Sequence, residues 1–345
     1  MHLMRFDLRA PGLDASQRAA LYRTAIDMSA WADEQGGLGS VVVSEHHFTD
    51  DGYLPSPFAL AAALAAVTRR TPIVVAAAIL PFYDPIRLAE EIITLDLLSE
   101  GRSMVVLGLG YRREEYDAFG VDFDRRGAIA DEKLGRLLQI LNDAVDARST
   151  PRVTPAPFSD PLPLIAWGGR SRAAARRAGR NGIGFFAQSD APGLHDAYVE
   201  AARASGHEPG LCVLPSPEIP FIVFVDDDLD RGWEEVGPSL LVDARSYLEW
   251  NDAAGLDHGS ASLTPASSIA ALRERNGSHR VVTGDQAVEI LSTHGVLGLH
   301  PLCGGLDPEI AWPFLRRAVE ASVRANDLRK ASRAAAGRDG GSTAR

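Results

Sequence analysis

Glu45-His46-His47 concentrates proton chemistry in three residues, a carboxylate followed by two imidazoles, the side chains that titrate nearest neutral pH. The run Val41-Val42-Val43 precedes it without apolar–polar alternation, as in a strand buried on both faces of a parallel sheet. Such a strand delivers its last residues to a loop. Neighbouring residues of an extended chain point to opposite faces, so only one of His46 and His47 looks into a given cavity. His46 is the expected proton-transfer residue, its tautomer fixed by Glu45 or a backbone carbonyl. His47 is expected at the substrate pocket or behind the strand. Two satisfied structural histidines are the commoner outcome for an arbitrary pair, and only the company brought by other strands raises His46 above that.

Those other strands recur at regular intervals. Met4, Phe6 and Leu8 alternate with charged residues as a first strand, and a helix from Ser16 to Gln35 ends at Gly36-Gly37. The Val41 strand leads to a helix over Phe58–Val67, and Ile73–Leu80 leads to a helix that Asp84-Pro85 starts and Ser99 ends. Met104–Leu107 follows, then a loop from Gly108 through Tyr111 to Asp122 and a helix from about Arg125. The proline-rich stretch from Pro151 to Pro163 reads as a long loop, because the alternation resumes at once with Leu164–Ala166, Arg172–Arg180, Ile183–Phe186 and Leu194–Ala204. Phe221–Val225 is the seventh strand. An insertion over about 227–283 follows, with one helix around Trp233–Trp250 and an irregular Gly- and Ser-rich part. A helix over Asp285–Thr293, an eighth strand Val296–Leu299 and a helix from Pro308 complete the pattern. Eight β-α repeats of roughly 30 residues predict an α/β fold, a (β/α)8 TIM barrel over 1–328, rather than a doubly wound sheet. The tail 329–345 is too poor in apolar residues to pack and is expected to be disordered.

Composition narrows the chemistry. With 46% apolar residues, and no apolar run near the ~20 residues of a membrane span, no membrane partner is expected. A net charge of −11 argues against nucleic acid. The N-terminus runs directly into a strand pattern without a leader-like segment, which reads as cytoplasmic. Cys212 and Cys303 are too few and too far apart for a zinc motif, and the first strand lacks a His-x-His pair, so no metal is expected and a metal-dependent barrel hydrolase is disfavoured. Neither a Gly-x-Gly-x-x-Gly turn after the first strand nor a Walker-type lysine loop is present, which disfavours dinucleotide and nucleotide folds.

In a barrel, the active site lies at the C-terminal ends of the strands. His46, Leu80-Pro81, Gly108 to Tyr111 and Trp167 to Ser171 all follow strands and would share that face. Trp167-Gly168-Gly169-Arg170-Ser171 also opens a helix, whose free N–H groups favour an anion such as a phosphate. An ordinary capped helix start explains the same spacing equally well.

From Met4 to about Arg324 the chain resembles the bacterial luciferase-like flavin monooxygenases. The segments that carry the resemblance are Glu45-His46-His47-Phe48-Thr49 with Gly52 and Pro57; Leu80-Pro81 with Pro85 and Glu90; Leu97, Ser99 and Gly101-Arg102; and Phe119-Gly120-Val121-Asp122. The resemblance implies reduced FMN or the deazaflavin coenzyme F-420 at the barrel mouth, a non-prolyl cis peptide at Ala76-Ala77, a mobile loop after the seventh strand and a homodimer. It assigns His46 a catalytic role and Ser171 the phosphate. Ala76, Ala77, Gly108, Gly169 and Arg170 become cofactor contacts, and Tyr111 and His47 line the substrate pocket. The sequence also departs from the family pattern. Gly108 stands where the light-emitting subunit has a reactive cysteine, Leu109 where it has a phosphate-binding arginine, and Asp84 where the family has a histidine. Light emission is therefore not implied, and Arg170 or Arg172 would have to supply the charge Leu109 lacks.

The resulting expectation is a flavin-dependent oxidoreductase: a monooxygenase that takes reduced FMN from a separate flavin reductase and oxidises a small organic substrate. Hydride transfer with the deazaflavin coenzyme is the alternative on the same barrel. A flavin-binding subunit without turnover is a third reading, against which an intact His46 counts.

Overall fold

The strand that carries the histidines has parallel neighbours on both sides, as its unbroken valine run requires. In a computed structural model describing residues 2–146, 148–216, 218–257 and 259–339, with side chains to 331, the strands are β1 (His2–Phe6), β2 (Leu38–Val43), β3 (Ile73–Ile79), β4 (Ser103–Gly108), β5 (Leu164–Gly169), β6 (Gly184–Ala187), β7 (Cys212–Val213), β8 (Ile222–Val225), β9 (His279–Val282) and β10 (Leu297–Leu299). Every pairing is parallel. The main sheet has the order β10-β1-β2-β3-β4-β5-β6-β7, and β8 and β9 form a second ladder. β8 lies against β10 so closely that a Cβ on Gly298 would sit 2.6 Å from the Phe221 carbonyl oxygen, which makes glycine necessary there. Curled and lined outside by helices, this is the (β/α)8 arrangement, with all eight expected strands present as β1 to β6, β8 and β10.

Alternation within the strands separates two apolar faces. Met4, Phe6, Val41, Val43, Ile73, Val75, Val105 and Leu107 pack outward against the helices. Val74, Val106 and Ala166 point the other way and, with half-buried Val42, Ala76, Ala77, Met104 and Phe186, form a separate cluster inside the barrel. The Ala76–Ala77 peptide is cis, as the resemblance implied, and the β3–β4 register shifts there.

The helices are α1 (Ala15–Gln35), α2 (Pro57–Val67), α3 (Pro85–Ser99), α4 (Arg113–Phe119), α5 (Arg126–Val145), α6 (Arg172–Arg180), α7 (Leu194–Ala204), α8 (Leu229–Ala253), α9 (Ile269–Arg275), α10 (Gly284–His294) and α11 (Pro308–Asp339). Their starts follow local chemistry. Asp14 and Gln17 close a capping box on α1, Asp84 caps α3 through the Ile86 and Arg87 N–H groups, and Thr283 with Gln286 does the same for α10. α11 carries helix past residue 330, further than the tail reading placed it, while 340–345 lie outside the described residues.

The segment after the seventh strand is more regular than its composition implied. α8 is 25 residues long despite Pro238, and His279–Val282 is a strand paired with β8 rather than part of a loop. Four residues are too few to register as a strand by alternation, and their partner is fixed only by the returning chain. The irregular part contracts to 254–257 and 259–268. The proline-rich connection, by contrast, is anchored: the fully buried Asp96 accepts from Phe158 N, Ser159 N and Ser159 Oγ at 2.7, 2.8 and 2.5 Å. Limited proteolysis is therefore expected to cut first within 254–268. First cuts between 146 and 163 that release two stable pieces would contradict a single barrel.

Candidate active site

At the end of β2, Glu45, His46 and His47 fan outward in different directions. His46 Nδ1 lies 2.9 Å from Glu115 Oε1, and the same oxygen accepts the His47 backbone N–H at 2.8 Å and Arg112 Nη1 at 3.2 Å. Arg112 also donates to the His47 carbonyl at 2.7 Å. The expectation that Glu45 or a backbone carbonyl holds the His46 ring is not met: its Nδ1 partner is Glu115. Glu45 instead binds His47 Nε2 at 2.7 Å through Oε1 and the Ile79 N–H at 2.8 Å through Oε2, joining the ends of β2 and β3.

The two imidazoles occupy different surroundings, as opposite faces of a strand demand. The His46 ring is met edge-on by Tyr53, Tyr111 and Trp250, at centroid distances of 4.9, 5.4 and 5.1 Å. The His47 ring sits among Phe48, Phe82 and Phe119. Of the two expected pocket residues, Tyr111 thus joins His46 and His47 does not.

Glu115 lies on α4, within the stretch read as an open loop. Gly110, at φ 68°, makes the turn that lets α4 return to β2, and a Cβ there would press to 3.0 Å from Ile79 Cγ2. Burial alone would raise the Glu115 carboxyl. The bond to His46, the His47 N–H and the charge of Arg112 outweigh it and hold the group below its ordinary value. Burial pushes the phenols of Tyr53 and Tyr111 upward, so both stay protonated at neutral pH.

α8 closes one side of this site. Its Tyr247 hydroxyl is 3.0 Å from that of Tyr53, which in turn lies 2.6 Å from Ser44 Oγ. Trp250 covers His46, and the Arg9 and Arg112 guanidiniums stack on its ring at 4.5 and 4.6 Å.

The remaining expected residues divide into a floor and an edge. Ala77 and Gly108 meet, since a Cβ on Gly108 would come within 3.2 Å of Ala77 Cβ; one on Gly168 would lie 3.1 Å from Val106 Cγ1. Together with Ala76 they make a small-residue part of the barrel interior, a glycine-alanine floor beside Val74, Val106 and Ala166. Gly169 packs against α6, where a Cβ would come to 2.6 Å from Ala174 Cβ. At the edge, Ser171 caps α6 by accepting from Ala174 N at 3.2 Å. Arg170 Nη1 reaches Asn251 Oδ1 and the Asp257 carbonyl at 3.3 and 3.1 Å, while its buried Nη2 has no hydrogen-bond partner. Ser189, just past β6, also buries an unpartnered hydroxyl. The adjacent residues Trp250 and Asn251 of α8 therefore touch His46 and Arg170 respectively.

These elements make a parallel α/β barrel with a histidine–carboxylate pair at the C-terminal end of its second strand. The family model for luciferase-like monooxygenases matches residues 3–294, and the chain belongs to that family. Over 98 residues it is 34% identical to the alkanal monooxygenase alpha chain of Photorhabdus luminescens, a match covering 28% of this chain and 27% of that one. The chain spans from about a quarter to half the length of the curated relatives it matches. Among solved structures, it resembles the oxygenating constituent of 3,6-diketocamphane monooxygenase from Pseudomonas putida, a type II Baeyer-Villiger enzyme in complex with FMN, with a TM-score of 0.69 at 20% identity over 93% of this chain and 97% of that one. It also resembles an F-420-dependent secondary alcohol dehydrogenase, with a TM-score of 0.60 at 15% identity over 90% and 97%. No helix among the described residues is long and apolar enough to cross a membrane.

Proposed function

We propose that the chain is the oxygenase component of a two-component flavin monooxygenase, taking reduced FMN from a separate reductase and oxidising a small organic substrate. The observation that carries this reading is the His46–Glu115 pair at the end of β2, in a barrel whose interior at β3 and β4 is lined by Ala76, Ala77 and Gly108. The residues present fit a flavin phosphate ester: the floor suits a flat ring, and the unpartnered Arg170 Nη2 and Ser189 hydroxyl suit an anion next to the α6 N-terminus. Bound reduced FMN would supply the electrons by which dioxygen gives one atom to the substrate and the other to water.

The chain's own residues would do the rest. Glu115 accepts from His46 Nδ1–H, which leaves Nε2 with the lone pair that takes up a proton. Tyr53 and Tyr111 remain donors because burial keeps them protonated. Trp250 lies against His46 and Arg112 stacks on Trp250, which would limit the access of water to the imidazole.

Hydride transfer with the deazaflavin coenzyme is the second reading, supported by the likeness to the F-420-dependent dehydrogenase. An anaerobic titration with oxidised FMN, reduced FMN and the deazaflavin coenzyme decides between them, and tight binding of the deazaflavin alone would replace the first reading. A homodimer belongs to the same proposal, with exposed Val67, Leu97 and Leu98 on α2 and α3 as supporting apolar surface.

The phosphate edge yields a direct test. Arg170→Ala is expected to weaken FMN binding by about 1.5 to 3 kcal/mol, the range for a hydrogen bond to a charged group. Ser171→Ala should cost about 1 kcal/mol, partly as a lost helix cap. Riboflavin, without the phosphate, should bind wild type and Arg170→Ala alike; equal FMN affinity in both proteins would remove Arg170 from the site.

A further inference from the structure

Asp243, His300 and Cys303 reach one point from three elements: α8, the residue after β10, and the 3-10 turn Cys303–Gly305. All three are buried, and one ligand atom from each, a carboxylate oxygen, a ring nitrogen and the sulfur, lie within 4.8 Å of one another. Asp243 Oδ2 is taken up by His279 Nε2 at 3.0 Å, but Oδ1 has no hydrogen-bond partner, and neither has His300 Nδ1. The nearest charge to Oδ1 is Arg9 Nη1, at 3.7 Å.

His300 Nε2 lies 3.2 Å from Asp7 Oδ1, a contact that would hold the ring while Nδ1 serves as a ligand.

We propose that Asp243, His300 and Cys303 bind a divalent cation of the zinc type, as a structural site joining α8 to the end of β10. Thiolate, imidazole and carboxylate are the donor types such an ion takes, with water completing a tetrahedron. Metal–ligand bonds of about 2.0 to 2.3 Å place tetrahedral donors roughly 3.5 Å apart, so the trio has to draw in by about an ångström. Binding displaces the Cys303 thiol proton to solvent.

The site is separate from the proposed oxygenase chemistry but bears on it. Arg9, which pairs with Asp243, also stacks on Trp250, the residue that covers His46. An ion at Asp243 would fix α8 in that position. The donors are 57 and 3 residues apart along the chain, and the return of α8 brings Asp243 to the other two.

The test uses the full-length chain, stripped with a chelator, dialysed and titrated anaerobically with Co2+ and then Zn2+. The expected result is one equivalent of Co2+ with a thiolate-to-cobalt charge-transfer band, displaced by Zn2+, and a higher Tm with metal. Cys303→Ser and His300→Ala should abolish the band, and Cys212→Ser should retain it. The wild-type spectrum is decisive even where a variant fails to fold. Absence of a stoichiometric thiolate band, or its persistence in folded Cys303→Ser, overturns the proposal.

Discussion

Replacing His46 with alanine is expected to leave a folded protein that still binds flavin but forms product at least ~100-fold more slowly, the lower end of what a positioned proton-transfer group contributes. The fold should survive because the imidazole is not the only partner of the carboxylate behind it. Glu115 keeps the His47 N–H and Arg112, so no buried charge is stranded. Flavin affinity should survive because the floor of Ala76, Ala77, Gly108 and Gly168 and the edge at Arg170 do not involve His46. Oxygen uptake with reduced FMN should then end in hydrogen peroxide rather than oxidised substrate, which is measured by assaying both products in the same reaction. His47→Ala should behave differently. Its ring bridges Glu45 to a cluster of phenylalanines, so its loss should lower Tm more than turnover. If product formation persists in His46→Ala and disappears in a folded His47→Ala, the catalytic assignment belongs to the other imidazole.

Much of this frame can be read from residue patterns because the information is local. Valine and alanine runs mark strands buried on both faces, and Asp84-Pro85, Ser171 and Gly36 mark helix ends through capping chemistry that depends on a few neighbouring residues. His46 could be singled out because it ends such a strand. Its partner could not. Glu115 is separated from it by 69 residues and lies on a seven-residue helix whose sequence, Arg113 to Phe119, is too short to show helical periodicity. Glu45, the adjacent carboxylate, was the natural local choice, and the geometry gave it to His47. β9 and the α8 contacts were hidden for the same reason. A strand of four residues, or a tryptophan that folds back over a distant histidine, is specified by long-range packing, which composition and spacing do not encode. Arg170, Ser171 and Ser189 lie in between: the helix start was legible, but the unpartnered guanidinium nitrogen and hydroxyl were not.

Glu115→Gln is the second large effect, and it separates a positioning role from a direct one. The substitution keeps the shape and removes the charge that orders His46, the His47 N–H and Arg112. An amide can still accept a hydrogen bond but no longer neutralises Arg112 in a buried setting, so stability should fall by about 1 to 3 kcal/mol at neutral pH. The pH dependence should change too. Glu115 sits below its ordinary value in the folded chain, so its contribution is complete above the unfolded carboxyl value of 4.5 and is lost as pH falls through the lower folded value. Wild type should therefore lose stability across that acidic window more steeply than Glu115→Gln. For catalysis, the loss should be roughly 10- to 100-fold in kcat with little change in flavin affinity, because the imidazole remains but is no longer held in one tautomer and orientation. A double-mutant cycle gives the decisive comparison. If Glu115 acts through His46, then adding Glu115→Gln to His46→Ala should lower turnover hardly at all, whereas independent groups would multiply their losses. Fully multiplicative losses would mean that Glu115 meets the substrate or flavin itself, and the Arg112–Glu115 pair, rather than His46 alone, would have to be counted among the groups that touch the reacting atoms.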